Sequence, residues 1–408
     1  MKKLSLSVLF IFATLIGFSQ KNQVVSAFNY HRNGKLDKAK IAIDKATVNQ
    51  KTVGMAKTWY YRGNIYLDIA RSPLEAYKNL DPDALTKADE AYAKALELDT
   101  KKQYTDEIMQ RMPILGEAYF FDGANYYNLG GQAIQEGDTT TAKKDYQKTL
   151  DAFEKAYEIY NKYGAADSTK TMTLYYMSYA AELAGDNDKA ITYLTQLVDE
   201  NYPEPGIYVT LGNLYKDKGD NENAEKYFAL GLERFPDNLN ILLNQINLYL
   251  ATGETDKALS KLEKAASLDD SNPSIFFAIG TSYDRIVTDT TQPAEVREDA
   301  FNKAIAAYQK AIDLKEDYFD AYYNMGAIYV NKAAVIMDKA NQLDLNAVDE
   351  YNTLKDKADK MLETSLPFLQ KAHEIDPNDK NTMVSLKEIY TRLKMYDDLK
   401  KINAELGM

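Results

Sequence analysis

The chain of 408 residues contains no cysteine. Structural disulfides, thiolate metal sites, cysteine nucleophiles and lipidation on sulfur are excluded together. Histidine is nearly missing as well: His31 and His373 lie far apart along the sequence, so a shared metal site is not expected. Positive charge is in deficit. Lys and Arg number 49 against 61 Asp and Glu, a formal net charge of −12 that repels phosphate backbones and argues against nucleic acid as a partner. After the N-terminus no apolar run approaches the roughly 20 residues that a spanning helix needs, so no membrane span is expected. Neither a glycine-rich phosphate loop nor a nucleophile elbow is present, and the sequence offers no catalytic constellation and no cofactor site. What is there is enough to fold: 45% hydrophobic and 12% aromatic residues against 27% charged. The length exceeds one ordinary core, which implies several domains or an extended repeat.

The first twenty residues have the layout of a secretory signal. Lys2 and Lys3 precede the apolar run Leu4 to Phe18, and Gly17-Phe18-Ser19 offers a small residue before a cut near Ser19 or Gln20. Residues 1–20 are therefore expected to be removed, leaving a soluble product with a balance of 47 − 61 = −14. The ending Phe-Ser-Gln resembles signal peptides of Gram-negative Bacteroidota, which implies an exported protein, periplasmic, associated with the outer membrane or secreted.

The rest of the chain is periodic. Ala190, Ala224 and Ala258 follow one another at 34 residues, as do Gly185, Gly219 and Gly253, with Leu194, Phe228 and Leu262 four residues after each Ala. Within each period apolar residues recur at helical spacing and the glycine interrupts them midway, so each unit reads as helix, turn, helix. From Pro205 to Asn238, residues Tyr208, Leu211, Gly212, Tyr215, Ala224, Phe228 and Pro236 resemble the tetratricopeptide repeat at its positions 4, 7, 8, 11, 20, 24 and 32. The resemblance implies an all-α, right-handed superhelical solenoid of antiparallel helix pairs, about nine repeats over 21–408. A regular core spans 171–272 and a degenerate cap 378–408. In four units, 56–100, 116–161, 273–318 and 319–377, the second helix arrives late by about 13, 14, 12 and 27 residues, values near multiples of seven. About two extra turns in each helix would preserve the buried face, so these units are expected to be lengthened hairpins. Most of the 32 Tyr then belong to packing: Tyr66, Tyr126, Tyr215, Tyr249, Tyr283 and Tyr329 fall at position 11, and Tyr92 and Tyr308 at 24.

In the resembling family the first helix of each repeat lines a concave groove through positions 2, 5, 9, 12 and 13. Here those positions include Tyr60, Asn64, Phe120, Tyr175, Tyr179, Asn213, Asn247, Phe277 and Tyr323. Amides that can both donate and accept, mixed with aromatic faces, suit capture of a peptide or helix. The lysine that clamps a terminal carboxylate in one branch of the family is replaced by Tyr60, Val209 and Leu243. Asp186-Asn187-Asp188 and Asp220-Asn221-Glu222 lack the central Gly and the final Glu of a calcium loop and read as turns. The mixed charges from Lys355 to Glu363 read as a solvated helix face. Asp138-Thr139-Thr140, Asp167-Ser168-Thr169 and Asp289-Thr290-Thr291 are similar to the O-glycosylation triplet of exported Bacteroidota proteins and are expected in loops, with Thr139, Ser168 and Thr290 as acceptors. The expected function is a non-catalytic scaffold of the cell envelope that binds a partner protein. Its rivals are an envelope enzyme or polysaccharide-handling accessory with chemistry in the inserts, and an architectural spacer without a ligand.

Overall fold

A computed structural model describes residues 23–407, and the expected signal segment 1–20 lies outside them. Among the described residues there are nineteen helices and no strands. They fall into two compact units, one ending at Ile207 and the other starting at Tyr208. The first holds α1 (23–32), α2 (Leu36–Thr47), α3 (Ala56–Ala70), α4 (Glu75–Lys78), α5 (Ala84–Leu98), α6 (Thr105–Gln135), α7 (Thr139–Tyr163), α8 (Asp167–Ala184) and α9 (Asn187–Asp199). In α10 (Gly206–Asp217) the second begins, and it continues through α11 (Asn221–Arg234), α12 (Leu239–Thr252), α13 (Thr255–Leu268), α14 (Pro273–Thr288), α15 (Ala294–Leu314), α16 (Phe319–Asn341), α17 (Val348–Ile375), α18 (Lys380–Arg392) and α19 (Tyr396–Glu405).

Local chemistry sets the ends of these helices. Asp138, Asp186, Asp220, Asn238 and Asp379 each accept a hydrogen bond from the backbone N–H three residues on, which satisfies an amide that the first helical turn leaves unpaired. Gly185 and Gly253 close α8 and α12 at φ of +80° and +79°, a region where a Cβ is strained. The triplets at Asp186 and Asp220 are thus helix caps and turns, as read from the sequence.

Helix partners are held by rings lying on glycines. A Cβ added at Gly63 on α3 would sit 2.5 Å from the Tyr92 ring of α5, and one at Gly280 on α14 would sit 2.6 Å from Tyr308 of α15. Gly212 faces Phe228 and Gly326 faces Leu369 in the same way. This is repeat position 8 against position 24: the missing side chain lets a large ring fill the gap between close axes. The long α6/α7 hairpin explains why the inserts come in sevens. Gly116, Gly123 and Gly130 on α6 receive Tyr160, Phe153 and Tyr146 of α7, with would-be Cβ contacts of 2.7, 2.8 and 2.7 Å. Both helices step by seven residues in opposite directions, so each added heptad reproduces the lock with the buried face unrotated.

Two expectations are corrected. Unit 56–100 is not a pair of lengthened helices: α3 and α5 have 15 residues each, and the extra residues form the connector 71–83 with the one-turn α4. Asp81 ties that connector down. It is buried, accepts from Lys87 Nζ at 2.6 Å and from the Asp83 amide at 3.1 Å, and lies 3.3 Å from Lys40 Nζ. Nor do all three candidate glycosylation triplets lie in loops. Thr139 is the first residue of α7 and Ser168 the second of α8, because Asp138 and Asp167 start helices; Thr290 alone sits in a turn, between α14 and α15.

Two measurements check this packing. Gly130→Ala drives a methyl into Tyr146 and should cost about 1–3 kcal/mol in urea unfolding. Its neighbour Gly131 has open space around a Cβ, so Gly131→Ala should stabilise by about 0.5–1 kcal/mol. Burial alone would raise the Asp81 carboxyl; Lys87, the Asp83 amide and Lys40 outweigh it and hold it below its ordinary value. A depressed folded pKa gives stability that is full above the unfolded value of about 3.9 and is lost as pH falls through the folded one. Stability measured between pH 6 and 2 should therefore drop less steeply in Asp81→Asn than in the parent chain.

Candidate functional site

The candidate residues sit on the first helix of each hairpin, and the structure sorts them by how much surface they leave open. In the first unit they join a run of aromatic rings. Phe120 of α6 packs on Phe153 at 5.0 Å and edge-on to Tyr176 of α8 at 5.7 Å; Tyr176 meets Tyr175 at 5.7 Å, and Tyr175 lies 6.4 Å from Tyr179. Tyr176 and Tyr179 keep 42% and 47% of their surface open. Phe121, next to Phe120, keeps 64%. These are the side chains a partner can reach, and Tyr176 and Phe121 were missed because they fall at position 6, outside the expected groove positions.

Three of the five aromatic residues at position 5 share a second geometry that the sequence did not reveal. Tyr60 stacks on Tyr104 at 4.9 Å, Tyr175 on Tyr202 at 5.3 Å, and Phe277 lies against Tyr318 at 5.2 Å. Each partner comes from the loop that leaves the second helix of the same hairpin. These three rings are half-buried and pack against a ring of that loop. The signal that could have found them is a tyrosine recurring just outside the helices, a place normally read as turn chemistry alone.

The amides diverge. Asn64 is 4% exposed and its Oδ1 accepts from the Tyr92 hydroxyl at 2.8 Å, so it is removed from the groove lining: the phenol that fills the Gly63 gap needs a buried acceptor. In the second unit Asn213 donates to Asn244 Oδ1 at 3.1 Å and accepts from Lys216 at 3.2 Å, while Asn244 donates back to the Asn240 carbonyl at 2.9 Å. Asn247 is exposed beside this ladder. Tyr323 is half-buried and stacked on Phe319 at 6.1 Å.

Charged groups are mostly spoken for. His31 Nε2 is 2.7 Å from Asp68, and His373 Nε2 is 2.9 Å from Glu405, each inside its own unit. Asp359 takes both Lys355 at 2.8 Å and Arg392 at 3.0 Å, the solvated ion pairs expected of that helix face. Among the described residues no group of three or more His, Asp or Glu is placed to hold a metal ion, and no helix is long and apolar enough to cross a membrane. Three carboxylates stand apart: burial raises Asp122 of α6, with Lys78 and Lys148 pulling the other way, and raises Glu182 of α8 and Asp284 of α14 with no opposing cause.

The two position-24 phenols make a controlled comparison. Tyr92→Phe strands the buried Asn64 acceptor and should cost about 1–3 kcal/mol. Tyr308 is fully buried and its hydroxyl has no hydrogen-bond partner, so Tyr308→Phe should leave thermal stability unchanged or raise it.

Comparison with known proteins is consistent with this architecture. Residues 209–273 match a family model described as tetratricopeptide repeat, and residues 295–332 match one described as TPR repeat. Over 288 residues, 60% of the chain, it is 23% identical to the "Protein CTR9 homolog" of Arabidopsis thaliana, covering 25% of that protein. Over 115 residues, 28% of the chain, it is 28% identical to "Photosystem I assembly protein Ycf3" of Prochlorococcus marinus (strain MIT 9211), covering 57% of it. The chain thus spans between a quarter and somewhat over half of these curated relatives. Among solved structures it is similar to MamA at 21% identity and a TM-score of 0.37, over 49% of this chain and 88% of that one.

Proposed function

We propose that this chain, which carries tetratricopeptide repeats, is a non-catalytic scaffold that captures a peptide segment or helix of a partner protein on the first-helix faces of its hairpins. The observation that carries the reading is the run of rings from Phe120 through Tyr176 to Tyr179, with Phe121, Tyr176 and Tyr179 left open. Aromatic side chains offer large contact area for few rotatable bonds, and their hydroxyls stay available to a peptide backbone. The fold does not require that exposure: the rings that close the hairpins, Tyr92, Phe153 and Tyr308, are buried. The exposed amides around Asn247 would add backbone contacts in the second unit.

The cell envelope is the proposed place of action, on the strength of the signal-like residues 1–20. Mass spectrometry of the protein from its own cells should find a mature N-terminus next to Ser19 or Gln20, and an intact Met1 would remove the export reading. For capture, the double variant Tyr176→Ala, Tyr179→Ala should fold normally and lose at least about tenfold in partner recovery after cross-linking in cells, the effect of one or two central aromatic anchors. Unchanged recovery would favour the spacer. Reproducible turnover or glycan binding by the purified chain would favour the enzyme or polysaccharide-handling reading instead.

A further inference from the structure

The deficit of positive charge is not uniform along the chain. Residues 23–55, which hold α1, α2 and the loop leading to α3, carry six Lys and Arg against two Asp, a local balance of +4. Residues 56–408 carry 40 against 59, a balance of −19. One of the two Asp is spent inside the fold: Asp44 accepts from Lys40 at 3.1 Å, from the Tyr66 hydroxyl at 2.8 Å and from Arg62. The other, Asp37, is half-buried on α2. Among the described residues no ion pair engages Arg32, Lys35, Lys38, Lys45 or Lys51. The region is basic at its surface as well as in its composition.

These cations share a helix face with aliphatic side chains. In α2 the buried residues are Leu36, Ala39, Ala42, Ile43 and Ala46. The opposite side runs Lys38, Ile41, Lys45, Val48, spaced i, i+3, i+7 and i+10, so one face about 15 Å long alternates cation and aliphatic group. All four are exposed, Ile41 keeping 57% of its surface open and Val48 83%. Lys35 at the start of the helix and Lys51, Val53 and Met55 in the loop after it extend the mixture. A merely solvated face does not need this pattern: α17 meets water with both signs, from Lys355 and Asp356 to Asp359 and Lys360.

The composition selects the partner. Charge of one sign calls for an anionic surface. Protein interfaces concentrate aromatic residues and Arg at their centre and deplete Lys, whereas this face has Lys as its charged residue and no aromatic ring. A lipid headgroup layer suits it: ammonium groups meet phosphates while Ile and Val enter the boundary beneath them. The acidic remainder of the chain does not cancel the attraction, because charges more than about 8 Å away are largely screened at physiological salt.

We propose that the outer face of α2, formed by Lys38, Ile41, Lys45 and Val48 with Lys35 and Lys51 at its ends, docks the chain on an anionic phospholipid surface. Such docking lies on the membrane and needs no spanning helix. It is independent of peptide capture, whose residues are on α6 and α8.

The test uses the expected mature chain, residues 21–408, so that the apolar run Leu4 to Phe18 cannot itself insert. It is sedimented with vesicles of phosphatidylcholine alone or of phosphatidylcholine mixed with phosphatidylglycerol. The mixed vesicles should retain at least about tenfold more chain, and added salt should reverse the gain. Lys38→Gln, Lys45→Gln should lower binding to the mixed vesicles about tenfold or more. Ile41→Ser, Val48→Ser should weaken that binding and leave its salt dependence in place. All four side chains are exposed, so both double variants should melt with the parent. Lys357→Gln, Lys360→Gln removes the same charge from exposed positions of α17 and should leave binding unchanged. Equal binding to both vesicles, binding to neither, or an equal loss in the α17 variant overturns the inference. If vesicles are ignored and the α2 lysine variant instead loses a salt-sensitive self-association or a cross-linked acidic protein, the face belongs to a protein contact and the inference is overturned too. None of these outcomes touches the Tyr176 and Tyr179 test.

Discussion

Four of the hairpins depend on an aromatic ring resting on a glycine. The ring takes the volume that a side chain on the facing helix would have occupied, so the two helix axes approach closely and register is fixed at each such contact. Gly63 with Tyr92, Gly123 with Phe153, Gly212 with Phe228 and Gly280 with Tyr308 are four instances of the same contact. It also governs growth. A hairpin can lengthen where a further glycine appears seven residues along one helix and a further ring seven residues back along the other, as Gly116, Gly123 and Gly130 show against Tyr160, Phe153 and Tyr146. The α3/α5 pair has the lock only at Gly63, and its extra residues were diverted into a connector that a buried Asp81 has to anchor.

Filling a gap with tyrosine rather than phenylalanine creates an obligation, because the hydroxyl ends up deep in the hairpin. The first unit meets it with Asn64, and the cost is an amide taken away from the surface. The α14/α15 hairpin leaves it open: the Tyr308 hydroxyl has no hydrogen-bond partner. The same packing element thus yields a hydrogen-bonded pair in one hairpin and an unpaired hydroxyl in another, according to what stands at position 9.

A second use of aromatics ties the loops to the walls. Tyr104, Tyr202 and Tyr318 reach back from the segment after each second helix to cover the position-5 rings of Tyr60, Tyr175 and Phe277. Those three rings are therefore braces first. The residues left to meet a partner are their neighbours on the same helices, Tyr176, Tyr179 and Phe121, whose exposure has no structural task to explain it.

The sequence by itself determined the elements and their pairing, since both follow from short-range spacing. Helical periodicity, glycines at 34-residue steps and delays near multiples of seven are one-dimensional quantities, and they located the regular hairpins and three of the four lengthened ones. The buried fates of Tyr92 and Tyr308 were legible for the same reason, because position 24 always faces position 8. Which side chains are free was decided only by tertiary structure. Asn64 and Asn247 occupy the same repeat position, yet one is buried under a phenol and the other is exposed. That difference depends on a residue 28 positions away on another helix and on what that residue lacks for a partner. Loop tyrosines covering position 5, an aspartate starting a helix inside a would-be modification loop, and a connector nailed down by Asp81 are likewise contacts across elements. Periodicity records which face of a helix a residue is on; the hydrogen bonds and rings that meet it there come from other parts of the chain.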